Sequence, residues 1–161
     1  MLSWATLLVR IVRSLTLEEV SGRIREFEKQ YGLTFNEFEE QFLRNKPKHL
    51  LSVYFEWAGL VDAYKGYEEG GELDYIVEEI RELHSRELAV LTSKRMELLD
   101  YLANTRVESI NELARKVKRD VKNVYEDLVA LQRLGLLVLK RRGKRNIVPE
   151  TMVEELTFLI R

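Results

Sequence analysis

The chain has 161 residues, 45% of them hydrophobic and 33% charged, with a formal net charge of −1 and no cysteine. That length suits one domain or two small ones, with enough apolar material for a core that needs no metal or disulfide staple. The missing thiols exclude disulfides, thiolate catalysis and cysteine-ligated zinc, and they fit a reducing, cytoplasmic setting.

The first stretch, MLSWATLLVRIVR, is apolar over about a dozen residues, short of the roughly 20 that span a bilayer. It has no preceding basic region and no cleavage pattern, so residues 1–15 read as a buried strand, a buried helix or a dimer contact, with no membrane role. Thr16-Leu17-Glu18-Glu19 is a capping box, in which the Thr hydroxyl and the Glu carboxylate each take an orphan backbone N–H. Val20, Ile24, Phe27 and Tyr31 follow at helical spacing, and Gly32 ends that helix. Thr34-Phe35-Asn36-Glu37 opens a second helix with Phe35, Phe38 and Phe42 on its apolar side. Pro47 breaks the chain, and Leu50, Val53, Trp57, Leu60 and Tyr64 predict a third helix with a broad apolar face. Glu68-Glu69-Gly70-Gly71 reads as a linker or sharp turn. From Leu73 a fourth helix is expected, with Ile76, Val77, Ile80 and Leu83 spaced like a short coiled-coil seam. The expected organisation is a helical N-terminal module over 1–71 and a connecting helix over 72–91.

The second half is punctuated differently. Thr92 caps a helix with Met96, Leu99, Leu102 and Ala103 inward. Ser109-Ile110-Asn111-Glu112 is a third capping box and opens a short helix carrying Leu113, Ala114 and Val117. After a tight turn comes a helix with Val121, Val124, Leu128, Leu131 and Leu134, stopped by Gly135. Leu136 to Arg141 and Lys144 to Val148 then read as two strands joined at Arg142-Gly143. Residues 150–161, with Met152, Leu156 and Leu159, complete the chain as a C-terminal helix.

Helix, short helix, turn, helix and β-hairpin is a known order. SINELARKVKRDVKNVYEDLVALQRLGLL followed by VLKRRGKRNIVP resembles winged helix-turn-helix transcriptional regulators of the broad MarR/ArsR-like kind. It is most similar to a prokaryotic, often archaeal, group associated with antitoxins. The likeness covers roughly residues 92–149. REFEKQYGLTFNEFEEQF with YFEWAGLVDAY also resembles helical segments of toxin–antitoxin proteins. The resemblance implies a mainly α fold: a helical N-terminal module plus a winged helix-turn-helix domain with a small β-hairpin wing. It further implies a homodimer on double-stranded DNA, because two-fold symmetry matches paired half-sites.

The charge distribution points the same way. Residues 16–91 carry 9 Lys/Arg and 17 Asp/Glu, a net −8, whereas residues 109–149 carry 11 Lys/Arg and 4 Asp/Glu, a net +7. In the expected recognition helix, Val121, Val124, Leu128 and Leu131 face the core, leaving Lys122, Asn123 and Glu126 outward near the end that enters the major groove. Lys suits guanine O6 or N7, and Asn suits adenine. Lys118, Arg119 and the Tyr125 hydroxyl suit phosphates, as do Ser109 and Asn111 at the start of the preceding helix. Lys140, Arg141, Arg142, Lys144 and Arg145 crowd around one Gly, a cost in repulsion that a wing on the backbone or in a minor groove turns to use. Asp120, Glu126 and Asp127 dissent, although Asp120 suits the helix dipole.

Catalytic chemistry has no visible carrier. His49 and His84 are far apart and outside any metal-spaced cluster, and no phosphate loop, nucleophile elbow or metalloprotease motif is present. No enzyme, metal or cofactor is expected. The expected function is sequence-specific transcriptional regulation. The alternative is an antitoxin-type interaction protein whose acidic helical module clasps a toxin-like partner, with DNA binding for autoregulation. The segment from Leu73, the N-terminal run and the segment with Met152, Leu156 and Leu159 are the candidate dimer contacts.

Overall fold

In a computed structural model of the protein, the chain divides into two compact units, Ser14–Val77 and Met1–Arg13 with Glu78–Arg161. The structure describes residues 6–160, so the first five residues of the N-terminal run lie outside it.

The unit of residues 14–77 is helical, as its capping signals predict. α1 (Leu17–Tyr31) and α2 (Phe35–Asn45) each open on a full capping box. Thr16 Oγ1 accepts from the Glu19 N–H at 3.2 Å and the Glu19 carboxylate accepts from the Thr16 N–H at 2.8 Å, with Thr34 and Glu37 repeating the exchange. Gly32 ends α1 at φ 67°, a left-handed conformation that glycine adopts without a Cβ penalty. A short 3-10 turn, Lys48–Leu50, leads into α3 (Leu51–Gly70), which runs through Glu68 and Glu69, residues expected in a linker. The aromatic set forms a core: Trp57 is fully buried, with the rings of Phe38 and Phe27 centred 4.9 and 5.2 Å away. Leu15, Val20 and Leu60 form a second buried cluster.

The other unit is mixed α/β, which overturns the mainly α expectation. Among the described residues the chain has five strands in two sheets: β1 (Thr6–Ser14), β2 (Ile76–His84), β3 (Leu137–Arg142), β4 (Asn146–Thr151) and β5 (Val153–Leu159). One sheet has the order β2-β1-β5 and the other is the β3-β4 hairpin. The expected fourth helix is therefore β2, and the expected C-terminal helix is β5. β2 escapes a period-two reading because its inward positions include charges: Glu79 and Arg81 alternate with Leu83. Those charges are satisfied locally. The Glu79 carboxylate accepts from Arg13 at 2.9 Å and from Arg81 at 2.8 Å, and Arg81 also donates to the Leu134 carbonyl. β5 pairs antiparallel with β1, Leu156 opposite Ile11 and Leu159 opposite Leu8. Its leucines fit a helical interval but are held by an open strand edge. The three segments expected to supply a dimer contact are thus the three strands of one sheet.

Between these strands lie a single helical turn, α4 (Ser85–Leu88), then α5 (Ser93–Asn104), α6 (Ile110–Lys116) and α7 (Val121–Arg133). Leu98, Leu102, Val107, Leu113, Val124, Leu128, Leu131 and Leu137 pack with Val9, Ile11 and Leu83 into one core. Ala103, expected inward, is exposed, and Leu98 takes a core place on α5 instead.

Candidate nucleic-acid interface

Residues 93–151 run helix, short helix, helix, antiparallel hairpin. Thr92 caps α5 and Ser109 caps α6, its Oγ accepting from the Glu112 N–H at 3.0 Å. Glu112 departs from a closed capping box, because its carboxylate takes the Glu108 N–H at 2.8 Å. α6 ends in a Schellman turn: the Arg119 N–H donates to the Ala114 carbonyl and the Lys118 N–H to that of Arg115. The left-handed residue there is Lys118, at φ 57°, where glycine is the usual occupant. Asp120 then caps α7, Oδ2 accepting from the Asn123 N–H.

The acidic dissenters acquire definite partners. Asp127 sits 2.9 Å from Arg95 Nε and 2.5 Å from Arg119 Nη2, with all three side chains mostly buried. Burial pushes this carboxyl up, but the hydrogen bonds from Arg119 and Arg95 outweigh it and hold Asp127 below the ordinary aspartate range. Arg95 also donates to the Val90 carbonyl at 3.0 Å. Arg119, expected on a phosphate, therefore ties the start of α7 to α5.

α7 buries Val124, Leu128 and Leu131 completely. Val121, expected in the core, is 43% exposed, as is Tyr125. As the first helical residue, Val121 lies before the point where the buried stripe begins. Turning 100° per residue puts Lys122 and Glu126 opposite the core, with Val121 and Tyr125 on one flank and Asn123 on the other. Asn123 lines a groove of about 580 Å³ with Thr92, Lys94, Arg119, Glu126 and Asp127. Lys122 and Asn123 are both exposed but do not share a face.

The hairpin packs through β3 on α7 and through β4 on α5 and α6, with Leu137 and Val148 buried. Its turn falls at Gly143, φ 72°. Asn146 Nδ2 donates to the Glu108 carbonyl at 2.8 Å, holding the tip of the hairpin beside the start of α6. Asn146 is the register partner of Arg142 across the hairpin, and Glu108 directly precedes Ser109, the cap of α6. Glu150 takes Lys140 at 2.7 Å and Arg142 at 3.7 Å. Among the described residues, Lys118, Lys122, Arg141, Lys144 and Arg145 are exposed cations with no carboxylate within ion-pair distance. The cations are visible in the sequence. How the carboxylates Asp127 and Glu150 divide them is not, because neither carboxylate is near its partners along the chain.

Residues 90–154 match the family model HVO_A0114, a span that takes in α5, α6, α7 and the hairpin. No curated protein matches the chain, and no solved structure does. No helix among the described residues is long and apolar enough to cross a membrane.

Proposed function

We propose that residues 93–151 bind double-stranded DNA, with the first turns of α7 in the major groove and the hairpin on the phosphate backbone, and that the protein regulates transcription as a homodimer. The observation that carries this reading is the set of exposed, carboxylate-free cations at the α6–α7 turn, on the outward face of α7 and at the hairpin tip. Cations left without partners repel one another, and folding gains nothing from grouping them; a polyanion does. The resemblance to winged helix-turn-helix regulators supports the same reading. Lys122 is the base-reading candidate, and Arg141, Lys144 and Arg145 are the backbone contacts.

The test is fluorescence anisotropy on labelled duplexes across a salt series, with sequences selected from a random library. About five phosphate contacts per subunit give a dimer a log–log salt slope near −9. Changing Arg141, Lys144 and Arg145 together to Ala weakens all duplexes alike and flattens the slope by about 0.9 for each phosphate no longer neutralised. Lys122→Ala weakens the selected duplex and spares the others. Salt-independent binding, or none, refutes the reading.

A second reading has its own observation. Residues 14–77 carry 7 Lys/Arg against 13 Asp/Glu, and on α3 Leu51 and Phe55, one turn apart, are 47% and 64% exposed. An acidic surface with an apolar stripe fits a basic, amphipathic partner protein, such as a toxin-like protein. Coexpression with the product of the neighbouring reading frame tests it: Phe55→Glu abolishes copurification if that surface is the contact.

A further inference from the structure

We infer that Val121 reads a thymine methyl group, and that the Tyr125 ring forms the second wall of that contact; the inference rests on the duplex-binding reading above. An amphipathic helix seats its apolar residues in the core, and α7 does so with Val124, Leu128 and Leu131, none of them measurably exposed. Val121 breaks the pattern. It is the first helical residue, 43% exposed, and its i+4 neighbour Tyr125 is exposed to the same extent. Residues four apart lie side by side on a helix, so the two make an apolar step on one flank of the helix tip.

The neighbours decide what fits there. Lys122 and Glu126 occupy the centre of the outward face, where a cation meets a guanine edge and a carboxylate a cytosine amine. Val121 itself offers no donor or acceptor, and Tyr125 offers only its hydroxyl. In the major groove the only apolar group on a base edge is the C5 methyl of thymine. The first turn of a recognition helix is where side chains reach base edges. A valine there discriminates T·A from C·G by burying a methyl group, next to the pair read by Lys122.

The duplex that the wild-type protein selects from a random library is resynthesised with each thymine in turn replaced by deoxyuridine, which removes only that methyl. At one thymine of each half-site the wild type loses roughly fourfold in affinity, the worth of one buried methyl-sized group. Val121→Ala loses nothing further at that position, and Tyr125→Ala shows a reduced penalty. Val121 stands outside the core, and an unchanged thermal midpoint confirms that the variant is folded. If no thymine is selected, or if Val121→Ala keeps the full deoxyuridine penalty, the inference is wrong while the duplex-binding reading stands. If the wild type binds no duplex, both fall together.

Discussion

Asp127→Asn is the most informative single substitution for how the α7 end is held. The wild-type carboxylate is 15% exposed and bridges Arg119 (20%) and Arg95 (24%). Breaking a fully buried ion pair by removing one partner costs about 3–5 kcal/mol. Here residual exposure lets water reach both guanidiniums, and the Asn side-chain carbonyl retains one acceptor, so about 2 kcal/mol is expected. For a chain of this length that lowers the melting midpoint by about 4–8 °C. Urea denaturation followed by circular dichroism measures the free-energy loss, and a thermal scan the midpoint. The pH dependence gives an independent reading. The folded carboxyl binds its proton less readily than the unfolded one, so the unfolded state holds more protons between the two values and stability rises with pH there. The contribution is complete above the ordinary aspartate range, and it is lost as pH falls through the depressed folded value. Asp127→Asn lacks that acid-side component. A variant within about 0.5 kcal/mol of wild type, with an unchanged acid limb, refutes the clamp.

Two further substitutions test the turn and the hairpin. A left-handed non-glycine residue costs about 1–2 kcal/mol, partly offset in a glycine variant by unfolded-state entropy. Lys118→Gly should therefore raise the unfolding free energy by up to about 1 kcal/mol, and Lys118→Val should lower it by at least about 1 kcal/mol, both read from denaturation midpoints. Glu150→Gln releases Lys140 and Arg142 and removes a negative charge from the hairpin, so duplex affinity at low ionic strength rises about twofold to fivefold and the gain fades as salt is added; anisotropy titration is the check.

Much of the molecule is legible in the sequence alone. Four helix starts follow from side chains that complete backbone hydrogen bonds locally, at Thr16, Thr34, Thr92 and Ser109. Gly32 and Gly135 mark ends for the same local reason. What fails is non-local. The spacing of Ile76, Val77, Ile80 and Leu83 suits a helix as well as a strand, and only the presence of β1 decides between them. β1 supplies Arg13, which lets Glu79 face inward, and an edge along which β5 pairs. Met152, Leu156 and Leu159 show the same ambiguity at the other edge. At the candidate interface the residue types are legible and their commitments are not. Arg119 and Lys122 look alike in sequence, yet one is bound to Asp127, which lies two turns further along α7.

Exposure divides the cations into two kinds, and the division bears on function more than their number does. The Asp127 pairs, at 15–24% exposure, are shielded from solvent and salt and hold geometry. The Glu150 pairs involve Lys140 and Arg142 at 53% and 55% exposure. Pairs so exposed are worth about 0–1 kcal/mol, little enough for an arriving phosphate to displace the carboxylate. Lys140 and Arg142 are therefore held in place by a weak anion without being committed to it, in the hairpin that Asn146 fixes beside α6. An arrangement of this kind limits the repulsion that five crowded cations would otherwise add to the free protein. It gives up little of the charge that a duplex would meet.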